Sequence, residues 1–100
     1  MNEISNIELL FGRDIVPVFA ENDAYVSMIQ SIRDGYKEMS VTFPIVHLRD
    51  EVSLSERQYQ VLIDGELTAD ETISQITDGT MTEILTKLSH AFCDYYNAHV

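Results

Sequence analysis

The chain has 100 residues, 17 acids against 6 bases and a formal charge of −11. That length suits one domain with one core. The charge excludes the clustered Lys and Arg that nucleic-acid phosphates or an anionic membrane surface require, so a partner met through charge should be basic. One cysteine, Cys93, excludes an internal disulfide framework and a cysteine-rich zinc site and suits a reducing compartment. No apolar run approaches the ~20 residues of a membrane span, and no basic-then-apolar signal opens the chain. The expected location is the cytoplasm, without membrane insertion.

The first apolar stretch is "IELLFGRDIVPVF", Ile7 to Phe19. Its branched residues read as one long bulged strand, or as two strands around Gly12-Arg13-Asp14. Pro17 removes a ladder donor and belongs at an edge or a bulge. Tyr25, Met28, Ile29, Ile32, Tyr36 and Met39 then form one helical stripe. Asn22 is a candidate cap, and Glu21 and Asp23 suit the positive end of the helix dipole. Gly35 interrupts the stripe.

Phe43 to Asp50 reads as a strand, since Pro44 and the residue before it disfavour helix. Apolar groups fall on both faces, Val46 and Leu48 against Ile45 and His47, which suggests an inner strand. A polar connection follows, Glu51 to Arg57, with Leu54 as its plug. Gln58 to Asp64 alternates as a half-buried strand, Asp64-Gly65 signals a turn, and "ELTA" is the return. Asp70 to Gly79 is a polar linker anchored by Ile73 and Ile76. Thr80 and Glu83 have capping-box spacing, with Asp78 as a rival cap. Met81, Ile84, Leu85, Leu88, Phe92 and Tyr95 or Tyr96 form the second helical stripe. Two amphipathic helices need one apolar sheet face to cover. The expected fold is an α+β two-layer sandwich over residues 1–100, a small mixed sheet of three or four strands with both helices on one face, in the order β-α-β-β-(β)-α.

Chemical constellations are few. His47 and Arg49 share one strand face, whereas Asp50 points the other way, so an Asp50-oriented imidazole base is geometrically poor. The simpler reading seats His47 in a partly buried site and pairs Arg49 with Asp50, Glu51 or Glu66. His90 and Asp94 stand four apart on the last helix, and two ligands do not make a metal site. Cys93 lacks a neighbouring base and a positive field, and reads as a core thiol. The four glycines are scattered and form no phosphate loop. No catalytic residue, metal or cofactor is called for.

One longer stretch carries more. "FPIVHLRDEVSLSERQYQVLIDGELTA" resembles a segment of the FHIPEP family, the export-gate proteins of flagella and type III secretion. The matching positions are Pro44, Ile45-Val46, His47, Leu48-Arg49-Asp50, Tyr59, Gly65 and Leu67-Thr68-Ala69. Upstream, Gly12, Ile15, Pro17 and Val18 are similar to the family's Gly-x-x-Leu-x-Pro-Leu segment, and Ile29 to Glu38 resembles one of its helices. Asp78 to Tyr96 resembles the helix that follows a longer insertion in full-length members. Where the family has an acid after the Pro-Leu segment, Ala20 stands, with Glu21 one place on.

The resemblance implies a copy of the first cytoplasmic subdomain, in a family whose cytoplasmic portion forms a ring and docks substrates and chaperones. The family's membrane helices and other subdomains are not in this sequence, so it corresponds to an excised piece or a free-standing relative. The implied function is a non-catalytic protein-interaction module of protein export, meeting export components or chaperones and able to self-associate. The alternatives are a free-standing regulatory or ligand-binding domain unrelated to export, and a small enzyme using His47 and Arg49. The surface left bare by the missing subdomains should lie around Phe19, the helix start at Asn22 to Met28 and the loop Glu51 to Arg57, through Phe19, Tyr25, Val26 and Leu54, with Arg49 as a docking or structural residue.

Overall fold

The computed structural model describes residues 4–99. A four-stranded mixed sheet carries helices on one face, the α+β two-layer arrangement. The elements are β1 (Ile7–Phe11), α1 (Val16–Ala20), α2 (Ala24–Glu38), β2 (Val46–Asp50), β3 (Gln58–Ile63), β4 (Glu66–Thr72) and α3 (Thr80–His99). The sheet order is β2-β1-β3-β4, with β1 parallel to β2 and antiparallel to β3, and β3 antiparallel to β4.

The first apolar stretch is not one strand or two. β1 stops at Phe11, and the chain turns through Gly12 to Asp14 into the short helix α1. Pro17 therefore sits in the first turn of a helix, where its missing N–H costs nothing, and not at a strand edge. Gly12 is dictated by a close approach. Its amide donates to the Gln58 carbonyl at 2.8 Å, and a Cβ there would lie 1.9 Å from the Ser55 carbonyl oxygen. No side chain fits between the two backbones.

Ile7, Leu9 and Phe11 of β1 lie beside Tyr59, Val61 and Ile63 of β3, and all six are buried toward the helices. α3 closes this face with Met81, Ile84, Leu85, Leu88, Ala91 and Phe92. α2 contributes Ile29 as its one buried residue, with Tyr25, Met28, Ile32 and Tyr36 half-covered. Tyr36 stacks on Phe43, both meet Phe92 edge-on, and the Tyr36 hydroxyl donates to the Ser89 carbonyl at 3.0 Å. Burial of that hydroxyl raises its pKa.

β2 is an edge strand and not the inner strand its two apolar faces suggested. It begins at Val46, because Phe43 and Pro44 are spent plugging the core beneath α2. Arg33 ties this entry down, donating to the Phe43 and Pro44 carbonyls at 3.3 and 3.1 Å. His47 is exposed on the open sheet face, not partly buried. Arg49 lies 3.8 Å from Glu8 and 4.0 Å from Glu51.

The Asp64-Gly65 turn joins β3 to β4, both residues at positive φ as a two-residue hairpin with the sheet's own twist requires. The Asp64 carboxylate also accepts from the Ser5 and Asn6 amides, pinning the approach to β1 to the hairpin. β4 runs on to Thr72, so the polar linker begins later than Asp70. The capping box at Thr80 and Glu83 does not form. Thr80 is buried as the first helical residue and its hydroxyl accepts from the Thr77 amide, while the Thr77 hydroxyl accepts from the Gly79 amide. Cys93 is half-covered, not a core thiol.

Candidate docking cleft

β1 and β2 run parallel, so their C-terminal ends emerge together. The chain leaves β1 into α1 and leaves β2 into the loop 51–57. These two connections meet where Asp14 donates its amide to the Glu56 carbonyl at 2.9 Å, and beside that contact they leave a cleft of about 470 Å³. Its floor is Phe11, Val16, Pro17 and Leu54, and Val52 projects beside it at 95% exposure. Asp50, Glu51 and Glu56 supply acids at the rim, and Arg13 lines it as well, paired with Glu56.

A second hollow of about 310 Å³ opens on the other side of Asp50, lined by Phe19, Ala20, Tyr25 and Leu48. The two meet at Phe11, Val16 and Asp50. Phe19 is only 4% exposed; it stacks on Phe11 at 5.2 Å and meets Tyr25 edge-on at 5.6 Å. The aromatic wall is thus part of the core and rigid for that reason.

Most of the surrounding charge is already neutralised. Arg13 pairs with Glu56, and Arg57 lies 3.5 Å from Asp14 while donating to the Ser74 carbonyl at 2.6 Å. Glu51 accepts from the Ser53 hydroxyl and amide, which hold its carboxyl below the usual range. Among the described residues, Asp50 takes part in no ion pair and no side-chain hydrogen bond.

Of the five residues expected at the docking surface, the structure brings Phe19, Tyr25 and Leu54 to this cleft. Val26 is exposed outside the linings of both hollows, and Arg49 stands on the open sheet face, turned toward Glu8. Val16, Pro17 and Asp50 are among the lining residues that sequence reasoning passed over, whereas Val52 lies in the expected loop 51–57. Pro17 was the available signal, since a proline after an apolar run marks a helix start as well as a strand edge.

Acid–base chemistry finds little here. His47 is exposed and faces away from Asp50, because neighbours along a strand alternate. No group of three metal-ligating side chains occurs among the described residues. No helix among them is long and apolar enough to cross a membrane.

The sequence matches no protein-family model. A search of curated proteins finds no match either. Among solved structures, the chain is similar to the Chlamydia pneumoniae CdsV protein, with TM-score 0.60 and 18% identity over 79% of this chain and 27% of that one. It is similar as well to a CdsV and CdsO complex from the same organism, with TM-score 0.59 and 17% identity over 83% of this chain and 28% of that one. CdsV is a type III secretion export-gate protein of the FHIPEP kind. The chain spans little more than a quarter of the structures it matches, so what it shares with the export gate is the fold of one part of that protein.

Proposed function

We propose that this chain is a non-catalytic protein-interaction module of the export-gate type, acting in the cytoplasm and docking export components, substrates or their chaperones. The observation that supports this best is the cleft. An apolar floor with an acidic rim lies on a fold shared with part of an export-gate protein. Mixed apolar and charged linings suit a protein segment, whose apolar anchors bury while rim charges steer it. The resemblance around Pro44 to Ala69 points to the same family through other residues.

The cleft also falls within the ~300–1,000 Å³ of small-molecule sites, which favours a ligand-binding regulatory domain as the second reading. Exposure separates the two. A small ligand needs enclosing walls, whereas Val52 stands almost wholly in solvent beside this cleft.

Leu54→Glu places a charge on the floor without touching the buried core. Capture from a native lysate, identified by mass spectrometry, should recover secretion components or chaperones with the parent chain and lose them with this variant. Recovery of the same proteins by both chains would remove the cleft from the docking reading.

A further inference from the structure

The two hollows and the unpaired acid between them define more than a generic apolar surface. We propose that the cleft takes a partner segment in which a lysine or arginine is flanked by apolar side chains, the cation meeting Asp50 and an apolar group entering each hollow. This rests on the reading of the cleft as a docking surface and specifies what docks there.

Three of the four carboxylates around the cleft are already engaged. Asp14 faces Arg57 at 3.5 Å, Glu56 faces Arg13, and Glu51 is engaged by Ser53 at 2.9 Å with Arg49 at 4.0 Å. Asp50 alone among these four has no ion-pair or side-chain hydrogen-bond partner among the described residues, and it alone lines both hollows. An acid in that position repels a partner's carboxylate and leaves a neutral segment with an unanswered charge beside its apolar groups. A cation answers it, and apolar neighbours that displace water from the hollows make the pair stronger than an exposed surface pair.

Charge also selects among occupants. A second copy of the chain carries 17 acids against 6 bases and would bring like charge to the rim. Nucleic acid and anionic lipid meet the same repulsion. A basic-apolar protein segment is the class that satisfies floor and rim together, and the chain's charge of −11 speeds its arrival.

The test uses the full chain, isotope-labelled, titrated with three synthetic peptides by amide chemical-shift mapping. Their centres are Leu-Arg-Leu, Leu-Gln-Leu and Gly-Arg-Gly. The Leu-Arg-Leu peptide should shift the amides of Val16, Asp50 and Leu54, and each of the other two should bind about tenfold more weakly. Asp50→Asn should weaken Leu-Arg-Leu about tenfold and make it equal to Leu-Gln-Leu, while Glu38→Gln, on a remote exposed acid, leaves it unchanged. Shifts confined to the cleft but indifferent to Asp50→Asn and to the Arg-to-Gln exchange would overturn the cation inference and leave apolar docking standing. Shifts spread over the acidic surface, or none at millimolar peptide, would overturn both. Concentration-dependent shifts of the same amides without peptide would overturn the proposal in favour of a second copy.

Discussion

α2 and α3 are both amphipathic helices on the same side of one sheet, yet they are held very differently. α3 buries seven residues, from Thr80 to Phe92, over the paired strands β1, β3 and β4. α2 is 15 residues long and buries Ile29 alone, and its companion β2 buries none of its five residues. One half of the molecule is a closed sandwich. The other is an edge strand and a helix anchored by the aromatic contacts of Tyr36 and Phe43 and by the Arg33 bonds to the Phe43 and Pro44 carbonyls. The cleft opens where the two halves meet. Rigid packing on one side supplies a fixed wall, Phe11 and Phe19, while the loosely covered side leaves room for an occupant.

The largest expected effect separates the two helices. Leu88→Asp buries an unpaired carboxylate at a fully enclosed position and should unfold the chain, since the cost of several kcal/mol approaches the roughly 5–15 kcal/mol of a whole small domain. Ile32 is half-covered, and Ile32→Asp can turn toward solvent. It should cost about 1–2 kcal/mol and leave a cooperative urea transition. Equal collapse of both variants would erase the distinction between the halves.

Gly12→Ala comes next, because the added Cβ meets backbone and not a movable side chain. It should cost about 2–4 kcal/mol and disturb the loop 51–57 first, read by urea midpoint and amide shifts. An unchanged midpoint would show that β1 and the loop do not pass so closely.

A pH effect sharpens the account of the closed half. Burial beside Glu71 and Glu83 pushes the Tyr59 phenol up to about 12. The folded state thus holds a proton that the unfolded state gives up near pH 10, so the phenol's stabilising contribution is full below pH 10 and is lost as pH rises through about 12. Tyr59→Phe should flatten that alkaline decline in stability, measured by melting temperature across the range. A decline of the same steepness in the variant would assign it to other groups.

The smallest effect belongs to α2. Ser40 follows its C-terminus at φ 61, a conformation that glycine adopts without strain. Ser40→Gly should stabilise by a few tenths of a kcal/mol, because relief of strain slightly exceeds the added chain entropy. A loss of stability would show that the Ser40 side chain contributes contacts at that turn.

Periodicity alone made much of this legible. The stripe of α3, that of α2 from Tyr25 to Tyr36, the alternation of Gln58 to Ile63 and the Asp64-Gly65 turn follow from local chemistry and are found where the pattern places them, while Met39 lies past the end of α2 and is exposed. What pattern could not supply is position in the sheet. "PIVHL" is apolar enough for an inner strand, and only the pairing of β1 with both β2 and β3 pushes it to the edge. "IVPVF" has a β-rich composition, and it becomes a helix because Gly12 is locked against the loop 51–57 and the chain must turn there. The cleft was half visible for the same reason. Phe19, Tyr25, Leu54 and the loop 51–57 were identifiable near a bare surface, but Asp50 and Val16 gain their meaning from two strand ends that only the fold brings together.

Native-state amide hydrogen exchange, resolved by residue, is the sharpest measure of whether one half holds the fold and the other borders the cleft. Amides of β1, β3 and the Ile84 to Phe92 stretch of α3 should exchange only through global unfolding. Those of α2 and β2 should open at free energies at least ~2 kcal/mol lower. Uniform protection across α2 and α3 would contradict that division.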